Sequence, residues 1–410
     1  MQPLNGVRIL DASHVLAGPF ASYQLNLLGA EVIRIDRITG QDFIRYHGGT
    51  DEMKAAGLGA SYVAQNAGKT CIQLDFKDPR GAELFKRLAA TSDVVLENFR
   101  PGTMERLGLG YEAIREIKQD IIYCSLNGYG ANGPMRDAPA YDHIIQGFSG
   151  LMSLTGTEDS GPLRYGVPIT DYLAGINGAF AILSAILHHR ATGEGQYLEV
   201  TMLAAALPTM GSSIADYQTS GLLRGRMGNQ PASDSPFAGR FDTADGQIVV
   251  TANTAAQTAN MVKLLAISSL DAELAIVTSR GRLTDAQRER VAQTLREAFL
   301  RRSAGDWEEA LSAASVPAAK VRGIDEILSH PQTQAIATMD RIAVAGHGQE
   351  IDVPGLAFTS NSGPKPQLPS PEVSGQSTAR VLSELGLSKT ELTDLARAGV
   401  IAGPDLPEPA

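Results

Sequence analysis

The chain has 410 residues, 43% of them apolar and 20% charged, with a formal net charge of -10. That composition suits one large globular domain plus a smaller one. The acidic balance gives no overall pull towards nucleic acid or anionic lipid, so an anionic ligand has to be held by a local basic cluster.

Residues 7–11 read as a first strand, followed by a helix over 19–28 with Pro19 in its first turn and Gly29 at its end. Residues 31–36 and 70–74 read as further strands, 78–90 as an amphipathic helix, and 93–96 and 121–125 as two more buried strands. Strands alternating with helices imply an α/β layer structure with a mainly parallel sheet. A polar loop at 128–140 and an apolar segment at 144–154 follow. Thr170-Asp171 then precedes a long helix ending near Gly193, apolar nearly all round and so expected to be buried. Residues 201–210 are again apolar, and the Gly-, Ser-, Asn- and Arg-rich stretch 211–235 reads as a linker. Beyond it come a hairpin over 241–250 turning on Asp245-Gly246, helices over 257–265, 285–301 and 306–314, and a strand-like run at 316–321. An extended proline-rich stretch at 362–374 and helices over 378–385 and 389–398 close the chain.

Cys71 and Cys124 lie in strand-like apolar runs, as buried thiols of a reducing cytoplasm rather than disulfide partners or zinc ligands. The N-terminus has no basic-then-apolar leader pattern, and the longest apolar stretch, 172–187, falls short of the roughly 20 residues a bilayer needs. A soluble cytoplasmic protein, bound to neither membrane nor nucleic acid, is expected. No H-E-x-x-H, G-x-S-x-G or Walker loop is present, and the scattered histidines predict no metal site.

Asp36 ends the second strand, where an acidic residue can hold a ribose, but the first loop, Ala12 to Pro19, lacks G-x-G-x-x-G. A nicotinamide-binding Rossmann protein is therefore the weaker reading. Arg34, Arg37, Lys69, Lys77, Arg80, Arg100 and Arg106 fall near the ends of the early strands. They are either solvated surface charges or, if they share one sheet edge, a phosphate site. Asp171 opens the long helix, where an Asp is either an N-cap or a reactive carboxylate.

In order along the chain stand Pro3-Leu4-Asn5-Gly6-Val7-Arg8-Ile9-Leu10-Asp11, Ala17-Gly18-Pro19, Leu28-Gly29-Ala30-Glu31-Val32-Ile33-Arg34-Ile35-Asp36 and Asn66-Ala67-Gly68-Lys69. Glu97-Asn98-Phe99-Arg100-Pro101-Gly102, Thr192-Gly193-Glu194-Gly195-Gln196, Thr243-Ala244-Asp245-Gly246 and Val381-Leu382-Ser383-Glu384-Leu385-Gly386-Leu387 continue the series. In these segments the chain resembles the class III CoA-transferases of the CaiB/BaiF type over nearly its full length. The resemblance implies a Rossmann-like large domain with a parallel sheet, a smaller α+β domain, and ring-like subunits threaded into an interlocked homodimer. It divides the chain into a large domain (1–210), the linker (211–235), a small domain (236–325), and a linker with C-terminal return to the large domain (326–410).

The resemblance also implies chemistry. Asp171 falls on the nucleophile, which passes through a covalent aspartyl-CoA intermediate. Leu16, Ala17, Arg37, the run Leu74 to Lys77, Asn98, Phe99, Arg100, Arg106 and the run Pro139 to Tyr141 fall on CoA-contacting positions. No permanent cofactor and no metal are implied; coenzyme A and acyl-CoA are substrates, with a carboxylic acid as acceptor. Formyl-CoA transferases carry a Gln where this chain has Leu16, which speaks against formyl-CoA with oxalate; succinyl-CoA as donor and a small dicarboxylate as acceptor are the expectation. Apart from the resemblance, Arg45 in Gln41-Asp42-Phe43-Ile44-Arg45 is either a holder of the distal carboxylate of a dicarboxylic acid or a surface arginine with no ligand, and Tyr141 is a second substrate-contact candidate beside its CoA role. The alternative within the same fold is a 2-methylacyl-CoA racemase, whose Gly-His-Asp motif is here Ala140-Tyr141-Asp142. A phenol, with an ordinary pKa of about 10, is a poor proton-exchange partner.

Overall fold

The computed structural model describes residues 2–409 except 232, 234, 345–347, 349 and 362–366. The chain divides into two compact units, the first comprising Met1–Met152, Arg164–Arg224 and Ala337–Ala410, the second Ser153–Leu163 and Gly225–Ile336.

The first unit is built on a seven-stranded sheet. Its strands are β1 (Arg8–Asp11), β2 (Glu31–Asp36), β3 (Thr70–Leu74), β4 (Val94–Glu97), β5 (Ile122–Asn127), Gln196–Thr201 and Ile401–Ala402. In space they run Ile401–Ala402, β3, β2, β1, β4, β5, Gln196–Thr201. All neighbours are parallel except the short edge strand Ile401–Ala402, which is antiparallel to β3. The inner strands are apolar on both faces because both faces are covered. Leu10, Ile33, Ile72 and Val95 pack with the helix Pro79–Ala90 and the C-terminal helices. Ile9, Val32, Val94 and Ile122 point the other way, onto helix α1 (Ala17–Leu27) and the long helix Ile169–Thr192.

The order of the strands reverses between β1 and β4, and in open α/β sheets ligands bind beyond the carboxyl ends of the strands at such a switch point. α1 and the long helix meet there closely. A Cβ on Gly175 would stand 2.7 Å from the Ala17 carbonyl oxygen, so glycine is what lets the two helix starts touch.

The long helix is not buried all round. Ala174, Gly178, Ile182, Ala185 and Ile186 face the core, while Ile176, Phe180 and Leu187 remain 52%, 69% and 60% exposed. Its 24 residues are long and apolar enough to cross a membrane, yet its inner face packs on the sheet as a core helix does. The stretch read as a linker begins with a helix, Gly211–Ser220, ended by Gly221 at φ 73°. Its Gly, Ser and Thr content hides it from composition. The hairpin Met339–Ala343 with Glu350–Pro354 is additional to the predicted set. Residues 362–366 of the proline-rich stretch lie outside the described residues, and 367–373 have no regular structure.

The second unit holds a three-stranded antiparallel sheet in the order Ala318–Lys320, Gln247–Thr251, Ala238–Asp242, turning on Asp245-Gly246 as its sequence predicts. Its core gathers Phe237, Phe241, Phe299 and Trp307 under the helices Ala255–Leu264, Asp285–Phe299 and Ala304–Ala313. The helix Asp271–Thr278 is additional to the predicted set.

Candidate active site

Beyond the carboxyl ends of β1, β2, β4 and β5 lies a cavity of about 490 Å³. That volume is of small-molecule size.

The loop after β1 forms one wall, with His14, Val15, Leu16 and Ala17. Asp11 anchors it from below, accepting the Ser13 amide (2.9 Å) and the Ser22 hydroxyl (2.5 Å), with Lys69 Nζ 3.3 Å away. Burial opposes its charge, but Lys69, Arg34 and the two serines outweigh that and hold its pKa below the ordinary value. Val15 is left-handed at φ 66°, which is strained for a β-branched residue. Its N–H donates to Asp42 Oδ2 at 2.7 Å and its carbonyl accepts from Gln65 Nε2 at 3.1 Å. The Asn98 side chain clips this loop to the end of β4, accepting from the His14 N–H (2.9 Å) and donating to the His14 carbonyl (2.7 Å). Asn98 therefore lines the cavity with its amide oriented by the His14 backbone. His14 is neutral; burial, then Arg37, push it down to about 4, and its buried Nδ1 has no partner among the described residues.

A second part of the wall is cationic and aromatic. Arg37 stacks over the Phe99 ring at 5.1 Å, and Phe99 meets His14 at 5.2 Å and Phe76 at 6.3 Å. Arg37, Arg100 and Arg136 all line the cavity, and among the described residues none has a carboxylate partner. Arg106 is bonded to Thr103 Oγ1 at 3.0 Å and stands just outside the wall. Gly102, at φ 81°, makes room for two guanidiniums, since a Cβ there would lie 3.1 Å from Arg106 and 3.4 Å from Arg136.

Asp171 and Tyr141 line a third part, beside Ala17, Leu126 and Met202 of an apolar cluster. Asp171 is not the N-cap. The cap position is Pro168 and Asp171 is the third residue of the helix, in its first turn. Burial, then the negative charge of Asp142, push its pKa up to about 7.

The remaining sequence candidates lie elsewhere. Leu74 is fully buried in the sheet, and Lys77 is exposed outside the wall; Phe76 between them is the residue that reaches the cavity. Arg45 corrects a prediction. It is fully buried, paired to Asp36 (2.6 Å), bonded to Tyr62 Oη (2.7 Å) and the Gly57 carbonyl (3.1 Å), and stacked 3.7 Å over the Tyr62 ring. Its charge is committed to the fold, so it has no group left for a substrate carboxylate. His14, Phe43 and Arg136 are cavity residues that the sequence does not predict, whereas Phe76 falls in the predicted run Leu74 to Lys77. Arg136 had a weak signal, a lone cation in the Gly-Pro-rich loop just before Tyr141.

A carboxylate of raised basicity, an aromatic wall and unpaired guanidiniums thus share one cavity at the switch point of the sheet. The family model for CoA-transferase family III matches residues 4–378. The chain belongs to that family. Among its relatives are a succinate–glutarate CoA-transferase of Agrobacterium fabrum, 33% identical over 93% of this chain and 96% of its own. The human succinyl-CoA:glutarate CoA-transferase is 32% identical over 98% of this chain and 90% of its own. Among solved structures, a CaiB/BaiF family protein from Brucella suis superposes with a TM-score of 0.80 at 28% identity, over 94% of this chain and 99% of the other. The mixed α/β fold with its parallel-dominated sheet is therefore that of the CaiB/BaiF proteins, and the chain is a CoA-transferase.

Proposed function

We propose that this CoA-transferase moves coenzyme A from succinyl-CoA to a small dicarboxylic acid through a covalent intermediate on Asp171. The observation that carries the reading is the basic carboxylate of Asp171 in the same cavity as the unpaired Arg37, Arg100 and Arg136. Guanidiniums without carboxylate partners suit the phosphates of CoA. The donor and acceptor classes are those named for the relatives from Agrobacterium fabrum and human.

The steps follow nucleophilic catalysis. An Asp171 carboxylate oxygen attacks the thioester carbonyl of the donor. The C–S bond breaks and its electron pair leaves on sulfur, giving a mixed anhydride and CoA thiolate. The thiolate attacks the Asp171 acyl carbon, which releases the donor acid and leaves an aspartyl-CoA thioester. The acceptor carboxylate attacks that thioester, and the freed thiolate then takes the acceptor's acyl group and regenerates Asp171. The thioester bond is conserved, so the cycle balances without ATP or a permanent cofactor. The apolar surroundings of Asp171 help exclude water, which would hydrolyse the intermediates.

The exposed apolar face of the long helix, Ile176, Phe180 and Leu187, is the part of this reading that favours a homodimer, of the interlocked kind the family resemblance implies. Two free buried cysteines suit a reducing cytoplasm. Racemisation is disfavoured because Tyr141, not His143, lines the cavity; His143 is exposed.

The test is mass spectrometry of reactions of succinyl-CoA with a panel of mono- and dicarboxylates. New acyl-CoA from a dicarboxylate is expected, with hydroxylamine converting Asp171 to its hydroxamate during turnover. Transfer confined to monocarboxylates, or undiminished transfer by Asp171→Ala, overturns the reading.

A further inference from the structure

Behind the cavity wall lies a second carboxylate that the chemistry above leaves without a task. Asp142 opens the short helix Asp142–Phe148 and is buried. Its Oδ1 accepts the backbone N–H and the hydroxyl of Thr170, both at 2.8 Å. Its Oδ2 accepts Gln146 Nε2 at 2.7 Å, and Gln146 Oε1 accepts the Tyr165 N–H at 2.8 Å. Thr170 and Gln146 are fully buried.

The long helix starts on Pro168, which has no side-chain acceptor for the free N–H groups of the first turn. A capping side chain accepts from the second or third helical N–H, and Thr170 is the second residue. Asp142 thus caps the long helix from another element, one residue before Asp171. A neutral acceptor would serve a cap equally well. Here both oxygens accept, Oδ1 from Thr170 and Oδ2 from Gln146, which fixes the group as a carboxylate and sets its charge beside the first turn, where it adds to burial in opposing the Asp171 charge.

We propose that Asp142 is a positioning residue for Asp171: it pins the first turn of the long helix through Thr170 and holds a second carboxylate behind the one that attacks. The proposal rests on Asp171 being the nucleophile. When Asp171 attacks the thioester and the C–S pair leaves on sulfur, the negative charge passes from Asp171 to the thiolate. The repulsion with Asp142 is then relieved, so Asp142 raises the attacking state relative to the acylated one.

The other titratable groups on elements packed against the long helix are accounted for. α1 contributes Tyr23, bonded to the Pro354 carbonyl, and the helix Met202–Ala206 contributes none. β5 contributes Tyr123 and Cys124, and Gln196–Thr201 contributes Tyr197 and Glu199, the latter bonded to Asn127 and the Ala131 N–H. Asp142's own helix adds the exposed His143, the long helix adds Tyr172 beside Asp171 and His188, His189 and Arg190 at its far end, and Tyr141 lines the cavity. Among these, Asp142 is the charge that acts on Asp171.

Asp142→Asn keeps an acceptor for Thr170, removes the charge and also loses the Gln146 bond to Oδ2, so the position of the pH limb is what reads the charge; Thr170→Val keeps the charge and removes the hydroxyl bond. The readout is single-turnover transfer from saturating succinyl-CoA against pH, with melting temperature and KM measured alongside. The wild-type rate is expected to rise through about pH 7. In Asp142→Asn that limb moves down by about one pH unit and the plateau falls about tenfold, with KM within about twofold. Thr170→Val lowers the plateau a few-fold and leaves the limb in place. An unmoved limb in Asp142→Asn, or a loss lying wholly in KM or melting temperature, overturns the proposal. Should Asp142→Asn not fold, wild-type activity in Thr170→Val overturns the pinning. Transfer surviving in Asp171→Ala brings down the nucleophile assignment instead, whereas an inactive Asp171→Ala with an unmoved Asp142→Asn limb brings down only the role of Asp142.

Discussion

Two sets of charges in the first unit do opposite work. Arg34, Arg45, Asp36 and Asp42 are buried and paired, with Arg34 bonded to Asp36 and Asp42 at 2.9 Å each and Arg45 to Asp36 at 2.6 Å. Arg37, Arg100, Arg136 and Asp171 line the cavity without ion-pair partners among the described residues. The first set fixes the loops after β1 and β2, through Asp42 to Val15 and through Asp36 to Ser374. The second set is left for what enters the cavity. A buried pair holds shape, and an unpaired charge in a cleft costs stability that ligand binding recovers.

The contrast breaks most visibly at Asp171. Asp171→Ala is expected to lower turnover at least about 10³-fold while the protein still folds and binds acyl-CoA. Retained turnover would move Asp171 out of the chemistry. Arg45→Met should do the reverse. It leaves Asp36 with one cation fewer in a buried site, a loss of about 3–5 kcal/mol read as a large fall in melting temperature. The fraction that folds should keep its KM for succinyl-CoA. A raised KM at unchanged stability would return Arg45 to the substrate site.

The unpaired guanidiniums sharpen the comparison further. Arg136→Ala and Arg37→Ala should each raise the KM for acyl-CoA about tenfold, with melting temperature little changed. The salt dependence of KM should flatten in both, since one screened contact is gone. Equal effects on a substrate lacking the nucleotide phosphates would show that these residues do not meet them.

Much of this was legible in the sequence. The strands of the large sheet are short apolar runs bounded by glycine and polar residues, and β2 and β3 begin and end where the pattern places them. Asp171, Tyr141, Arg37, Asn98, Phe99 and Arg100 were all singled out, and they share one cavity. Arg45 was misread because sequence carries no information on whether an arginine is paired. Its partners, Asp36, Tyr62 and the Glu372 carbonyl, come from three separate segments, the last 327 residues away. Asp142 was passed over for a related reason. It stands next to Tyr141, but its meaning lies in Thr170, 28 residues on. The exposed side of the long helix could not be told from the buried one, because apolar residues occupy both.

The smallest expected effect tests the same contrast through stability. Asp36 is held down to about 2: burial alone would raise it, but Arg34, Arg45 and Ser374 outweigh that. Its stabilisation is present above the ordinary carboxylate value and is lost as pH falls through about 2. Asp171 has the opposite sign, since burial and Asp142 hold its folded value near 7. Between the ordinary value of 3.8 and about 7, the folded state keeps a proton that the unfolded state has released. Stability therefore falls as pH rises through that window and levels off above it. Asp171→Asn removes the ionisation and keeps the shape. Its melting temperature should match the wild type near pH 4 and exceed it by a few degrees at pH 8, at about 2 °C per kcal/mol. Calorimetry at a series of pH values checks it. A difference that does not grow between pH 4 and 7 would mean that Asp171 ionises as freely in the cavity as in the unfolded chain. The unpaired carboxylate would then carry none of the cost that sets it apart from Asp36.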